Sequence, residues 1–309
     1  MKHKIILLSS SILILLVILS FNLAIPTASA DSFLDWITGK ATKLTNVSIT
    51  IAQIRIDWVS AIANPQNVTE SGSTTVVFYF NASVPGGTVS NINKSSAAGN
   101  FSLAGETTRQ NDSCLNVSEG TDWVNFSCSI KVWYWDGAGN WTVTAFVKDN
   151  SSNSVTNTST NMTLSQSTCF VTSPNELTWA TAIPGSVNQV SNNDPSLLNN
   201  TCNDDVDTDK VDVKALDLVG ATNNSFSIFA EDFKSSVTSG SECSGVALQN
   251  NTFKAITGSI LPSGNNSLNY GNGTSGQEQL YYCIPAVNSS LIAQAYSTTK
   301  LGSWTIQIS

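Results

Sequence analysis

The chain has 309 residues and is acidic, with 14 Lys and Arg against 22 Asp and Glu and a formal net charge of −8. Such a balance repels a phosphate backbone, which excludes nucleic acid as the main partner. The only histidine is His3, so Ser-His-Asp and Cys-His catalysis and every metal site that needs imidazole are excluded as well.

In chain order, "MKHKIILLSSSILILLVILSFNLAIPTASA" opens with Lys2 and Lys4, continues as an apolar run and ends on small residues at Ala28, Ser29 and Ala30. This is the pattern of a secretory signal over residues 1–30, cut after Ala30. The run is also long enough to act as an uncleaved anchor, but the A-S-A ending and the polar "DS" behind it favour cleavage. Loss of Lys2 and Lys4 leaves 12 basic against 22 acidic residues, a net charge of about −10. No second apolar run of membrane length follows, so the mature chain is expected to be extracellular or at the cell surface without a transmembrane anchor. Residues 31–44, with Phe33, Leu34, Trp36 and Ile37 in near-helical spacing, form a leader too short for a stable helix.

From Asn46 the signals are those of strands. The segments "NVSITIAQIRIDWV", "STTVVFYFNASV", "WVNFSCSIKVWYW", "WTVTAFVKD" and "NSVTNTSTNMTLS" are separated by turns such as "PGG" and "DGAGN". In the second, Val76, Phe78, Phe80, Ala82 and Val84 share the inner face. In the third, Val124, Phe126, Cys128, Ile130, Val132 and Tyr134 do so. In the first, Val47, Ile49 and Ile51 oppose Asn46, and the apolar parity changes between Ile51 and Ile54, which predicts a bulge or a crossing between sheets. The Ser/Thr/Asn-rich run Ser151–Ser167 marks a boundary. A second series follows: "TCFVTSPNELTW", "DKVDVKALDLVG", "NSFSIFAED", "NTFKAITGSI", "EQLYYCIPAV" and "GSWTIQIS". The expectation is an all-β chain with two tandem antiparallel sandwiches, residues 45–165 and 166–309.

Asn-X-Ser/Thr acceptors stand at Asn46, Asn67, Asn81, Asn93, Asn100, Asn111, Asn116, Asn125, Asn140, Asn150, Asn157 and Asn161, then at Asn199, Asn223, Asn250, Asn265, Asn272 and Asn288. With 31 mature asparagines and about a quarter of residues Ser or Thr, chance supplies about eight. Eighteen is about double that, which favours selection for glycans. Asn46, Asn81 and Asn125 fall on the outward parity of their strands, so a glycan there need not enter a core.

Six cysteines follow the signal: Cys114, Cys128, Cys169, Cys202, Cys243 and Cys283. An even number in an exported chain reads as disulfides. Of the 15 pairings, those between neighbours in sequence are favoured: Cys114 with Cys128, Cys169 with Cys202, Cys243 with Cys283. None has the CxxC spacing of a redox or zinc motif.

The segment "DGAGNWTVTAFVKDNSSNSV" resembles the closing hairpin of bacterial and archaeal extracellular immunoglobulin-like modules. The matching positions are Gly139, Asn140, Trp141, Val143, Ala145, Val147, Asp149 and Asn153: a Gly-Asn turn, an aromatic anchor, alternating small apolar residues, then Asp and a second Asn-containing turn. With the sequons and the leader, the whole chain is similar to archaeal secreted Ig-like surface glycoproteins. That resemblance implies tandem Ig-like sandwiches and carries over no catalytic residue. The cysteine spacing departs from the antibody pattern of a buried inter-sheet pair with an intervening tryptophan.

Four features hold the chemistry that remains. In "NNTCNDDVDTDKVDV", Asp205, Asp207 and Asp209 have the alternation by which a loop turns oxygens toward calcium. An EF-hand fails, because Lys210 and Leu216 stand where glycine and glutamate are required. The alternative is a solvated loop leading into a strand with Val211, Val213 and Ala215 inward and Lys210, Asp212 and Lys214 outward. No other cofactor is expected. Glu106, Glu119, Glu176, Glu231, Glu242 and Glu278 are the acids a glycoside hydrolase would draw on. Trp123, Trp133 and Trp135 share the outward parity and read as a sugar- or partner-binding platform, or else as cover for the second face of the sheet. "YGNGTSG" lacks a phosphate-loop context and reads as a turn. The leading expectation is a non-enzymatic, glycosylated structural or adhesion module whose partners are envelope proteins or glycans. The alternatives are a lattice or filament subunit that self-associates by strand addition through "GSWTIQIS", with Trp304, Ile306 and Ile308 alternating, and a glycan-active hydrolase.

Overall fold

The structure is a computed structural model and describes residues 53–180, 182–240, 243–264 and 276–309. The signal 1–30, the leader 31–44, Asn46 and the parity change between Ile51 and Ile54 lie outside the described residues. Residues Ile51–Ser309 form one compact unit that contains two separate hydrophobic cores. It is all-β: among the described residues, helix is limited to the single 3-10 turns Val89–Asn91 and Ala230–Asp232.

The first core lies between two four-stranded antiparallel sheets built from β1 (Arg55–Val59), β2 (Ser73–Ser83), β3 (Ile92–Ser102), β4 (Arg109–Asn111), β5 (Leu115–Glu119), β6 (Trp123–Trp133), β7 (Gly139–Asp149) and β8 (Ser154–Leu164). One sheet runs β1-β2-β6-β5 and the other β4-β3-β7-β8. Every residue expected on the inner face of β2 and β6, from Val76 to Val84 and from Val124 to Tyr134, is buried. Alternation at period two decides this, because each pleat turns one set of side chains toward the facing sheet. Trp141 on β7 is fully buried and donates its indole N–H to Gly137 O at 3.0 Å, which anchors the facing sheet. The β7–β8 turn is closed by Asp149, which accepts from the backbone N–H groups of Ser151 (2.9 Å) and Asn153 (2.8 Å). The side chain of Asn153 is the main cause that lowers the Asp149 carboxyl below its usual range.

Two local features adapt the sheets to each other. A Cβ on Gly99 would stand 2.6 Å from the Phe78 ring and 3.1 Å from Cys128 Sγ, so β3 needs glycine where it crosses the Cys114–Cys128 disulfide. A bulge in β1 between Ile56 and Trp58 reverses the parity of that strand. Ile54 and Ile56 face the core, Val59 packs against it, and Trp58 is left 44% exposed opposite Asn81.

The second half contains β9 (Phe170–Ser173), β10 (Val187–Val190), β11 (Ser196–Asn200), β12 (Val211–Lys214), β13 (Leu218–Gly220), β14 (Ser227–Ile228), β15 (Lys234–Ser236), β16 (Val246–Ala247), β17 (Phe253–Ala255), β18 (Gln277–Ala286), β19 (Tyr296–Ser297) and β20 (Thr305–Ile308). They form three antiparallel sheets, β16-β15-β18-β11-β9 with β10 also on β18, β17-β12-β20, and β14-β13-β19. The core between them holds Leu198, Val211, Val213, Phe233, Leu280 and Tyr282, among others. Val211, Val213 and Ala215 are fully buried, as expected. Asp212, expected to face solvent, is 8% exposed instead. Its strand is central, flanked by β17 and β20, and Gln307 on β20 donates to its carboxylate at 3.1 Å. The C-terminal strand β20 is not unpaired: it pairs with β12 over Val211–Lys214, and Trp304 packs on Phe233 and Tyr282.

Candidate functional site

The cysteines pair as neighbours in sequence, Cys114–Cys128, Cys169–Cys202 and Cys243–Cys283. Three such pairs suit an oxidising compartment. Among the described residues no helix is long and apolar enough to cross a membrane. Of the eighteen sequon asparagines, Asn46, Asn265 and Asn272 lie outside the described residues, and the other fifteen are all exposed or half-buried. The buried asparagines among the described residues are Asn200 and Asn203, neither of which is an acceptor. Burial is thus no obstacle to attachment at any described acceptor, although non-acceptor asparagines such as Asn64, Asn91 and Asn153 are exposed as well.

The three tryptophans singled out above do not form one platform. Trp123 and Trp133 stand at opposite ends of β6, about 33 Å apart along the strand. Trp123 lies under the Gly120 turn, where a Cβ would meet its indole nitrogen at 2.3 Å. Trp133 and Trp135 stack at 4.9 Å between centroids with 9° between planes, and Trp135 adjoins Gly264 of the second half. Of the pair, Trp135 lies where the two halves meet. Beside it, Asp136 is fully buried and held by the Arg109 guanidinium, whose Nε lies 2.9 and 3.0 Å from the two carboxylate oxygens. Trp133 N–H donates to the same carboxylate at 2.7 Å.

The acidic stretch works chiefly through its neutral neighbours. Asn203 donates to Asp136 O (3.1 Å) and Ser165 O (2.9 Å), Thr201 donates to Glu70 (2.7 Å), and Ser71 N–H donates to Thr201 O (2.9 Å). These bonds stitch the two halves together beside the Cys169–Cys202 bridge. The aspartates are engaged separately. Asp204 accepts from Gln166 and Thr168, Asp205 from Ser263 N–H at 2.8 Å, and Asp209 from Gly258 N–H at 2.5 Å. Asp207 is exposed. Among the described residues no group of three or more His, Cys, Asp or Glu is placed to hold a metal ion, so Asp205, Asp207 and Asp209 are not gathered around one point.

The glutamates are likewise dispersed. Glu119 pairs with Lys94, the main cause that lowers its carboxyl, with Asn116 second. Glu106 abuts Gly137, Glu231 faces Asn250 N–H at 3.3 Å, and Glu278 accepts from Ile260 N–H at 2.7 Å. Glu242 lies outside the described residues.

What sequence reasoning missed is an open cleft of about 590 Å³ in the second half, lined by Phe170, Trp179, Tyr282, Tyr296 and Trp304, with Thr172, Asn175 and Glu176 at its polar side. Trp179 and Trp304 both pack edge-on to the buried Phe233, each at 5.1 Å. Their indole N–H groups are spent on backbone carbonyls: Trp179 donates to Gln189 O at 3.1 Å and Trp304 to Leu216 O at 2.8 Å. Held at both edge and nitrogen, the two rings keep fixed positions on the cleft wall. The volume lies within the range of ligand sites, and the lining combines these rings with Ser, Thr, Asn and Glu side chains in comparable share.

Behind Tyr282 a second hollow of about 380 Å³ contains Asp194. One Asp194 oxygen accepts from Tyr282 N–H at 2.8 Å, and the other is buried without a hydrogen-bond partner among the described residues. Burial pushes this carboxyl up to about 6, the Tyr282 N–H opposing it. Burial first, and the Asp194 charge second, push the Tyr282 hydroxyl up. A carboxyl whose pKa is raised by folding binds its proton more tightly in the native state, so its ionisation withdraws stability as pH rises from about 4 to about 6. Asp194→Asn removes that ionisation. Its melting temperature relative to the native chain should therefore rise between pH 4 and pH 7, by the equivalent of on the order of 1–2 kcal/mol after allowance for partial solvent screening. A difference that stays flat over that range would contradict the assignment.

A scan against protein-family models finds no match to this chain, and no curated protein matches it.

Proposed function

We propose that the chain is a non-enzymatic, glycosylated protein of the cell envelope, of the archaeal Ig-like surface type. Its second half binds envelope saccharide through the aromatic cleft, and the protein serves as an adhesion module. The observation that carries this reading is the pair of pinned indoles, Trp179 and Trp304, on the wall of an open cleft that also offers hydroxyl, amide and carboxylate groups. Flat apolar rings match the C–H faces of pyranoses, and the polar side can take up their hydroxyls.

Among the described residues that line the cleft, Glu176 is the one carboxylate. Glycoside hydrolysis needs a pair of acids across the bond, so the lining supports binding over cleavage. Strand β20 pairs with β12 on one side and forms the edge of its sheet, so assembly by strand addition would have to use its other side. The disulfides, the surface-lying sequons and the predicted signal support a location outside the cell.

Cosedimentation of the native chain with isolated envelope polysaccharide tests the proposal. The chain should pellet with the polysaccharide, free oligosaccharide should release it, and Trp304→Ala should weaken the affinity about five- to thirtyfold, since one lost aromatic stack and its packing amount to about 1–2 kcal/mol. Retention of Trp304→Ala at the native level would remove the cleft from the account.

A further inference from the structure

On the outer face of the β1-β2-β6-β5 sheet two sequons lie antiparallel and in register. Tyr79, Asn81 and Ser83 of β2 stand opposite Ser127, Asn125 and Trp123 of β6 respectively, so acceptor faces acceptor. Asn81 Nδ2 donates to Asn125 Oδ1 at 2.7 Å, and Asn125 Nδ2 donates in turn to Ser118 Oγ on β5 at 3.0 Å. Opposed side chains in an antiparallel pair have Cβ atoms about 4.5–5.5 Å apart, which seats two amides but leaves no room for a sugar ring on each.

The surroundings are not equivalent. Asn81 has Trp58 directly opposite on β1, 44% exposed, and Tyr79 two residues before it on the same face, 45% exposed. Asn125 has both ends of its amide engaged, and its own strand neighbour Trp123 is covered by the Gly120 turn. We infer that Asn81 and Asn125 form one modification site that takes a single N-linked glycan, carried by Asn81, with its first sugars lying over Trp58 and Tyr79 while Asn125 stays bare and holds the Asn81 amide in place. The inference rests on the glycoprotein reading above and specifies which acceptor is used and why.

The covalent step is an ordinary glycosyl transfer from a phosphate-linked saccharide donor. The anomeric C–O bond breaks with its electron pair leaving on the phosphate oxygen, Nδ2 bonds to the anomeric carbon, and one Nδ2 proton passes to base. One N–H remains on Asn81, enough to keep the bond to Asn125 Oδ1. The glycan then covers two aromatic rings that otherwise face water.

Glycopeptide mass spectrometry on the full chain from its producing cells tests this, with Ser83→Ala and Ser127→Ala, each of which removes one sequon hydroxyl and leaves both amides. In the native chain Asn81 should carry the glycan mass and Asn125 none. Ser127→Ala should leave Asn81 unchanged. Ser83→Ala should abolish modification at Asn81 and let glycan mass appear at Asn125, because the competing glycan is gone. Glycans on both residues of one molecule, on Asn125 alone in the native chain, or on neither while Asn67, Asn116 or Asn140 is modified would each overturn the inference and leave the glycoprotein reading intact. Bare asparagines at every acceptor would overturn both.

Discussion

Arg109→Ala is expected to destabilise the chain by about 3–5 kcal/mol, because it strands a fully buried carboxylate. Asp136 has no water to turn to. Without the guanidinium it keeps one strong hydrogen bond, from Trp133 N–H at 2.7 Å. The converse change is milder. Asp136→Asn can still accept from Trp133 N–H, and the Arg109 side chain, 12% exposed, reaches solvent from where it lies. Chemical denaturation of the two variants should therefore rank Arg109→Ala below Asp136→Asn, and the opposite order would contradict the proposed roles. The effect should spread beyond the first core. Asp136 O receives the Asn203 side chain, and Asn203 belongs to the set of bonds that joins the halves. Loss of a single cooperative transition in Arg109→Ala would be the sign of that coupling.

Phe233→Ala is expected to cost a similar amount, about 3–5 kcal/mol, and to abolish saccharide binding as well. Phe233 is fully buried, and its ring is the shared neighbour of Trp179 and Trp304. Removal leaves a void behind both indoles, so each loses its edge-on contact and one wall of its pocket while keeping its N–H bond. Phe233→Leu separates the two consequences: it refills most of the volume and should recover most of the stability, yet leave binding weaker than native because the aromatic edges are gone. Thermal unfolding reads the first effect and oligosaccharide titration the second. Equal recovery of both by leucine would show that the cleft needs only bulk behind it.

How much of this was legible depended on whether the physics was local. β2 and β6 alternate over eleven residues, and a strand of that length with Phe and Val on one parity has a single way to be buried. The Asp149–Asn153 turn, the fully buried Trp141 and the neighbour pairing of cysteines are likewise short-range. In the second half β10, β11, β15 and β16 span two to five residues each, too short for period two to stand out, and β11 ends on polar Asn199 and Asn200. The β1 bulge was invisible for another reason: Ile54, Ile56 and Trp58 continue one parity in sequence, and only pairing against β2 turns Trp58 outward.

The candidate site shows the same limit more sharply. Trp133 and Trp135 share a parity with Trp123, but parity places residues on a face without saying how far apart they are or what lies over them. The cleft draws Phe170, Trp179, Tyr282, Tyr296 and Trp304 from segments more than a hundred residues apart, and no spacing within any one segment announces it. Asp136 sat inside "WDGAGN", where turn chemistry was a sufficient explanation, and its partner Arg109 lies 27 residues away on β4.

The central claim, that the second half holds saccharide in its aromatic cleft, is met most directly by calorimetric titration of the enzymatically deglycosylated chain with oligosaccharides released from the envelope. The account predicts one binding event per chain, with affinity lost in Trp304→Ala and unchanged in Trp123→Ala. No binding heat with any released oligosaccharide, or equal affinity in native and Trp304→Ala chains, would contradict it.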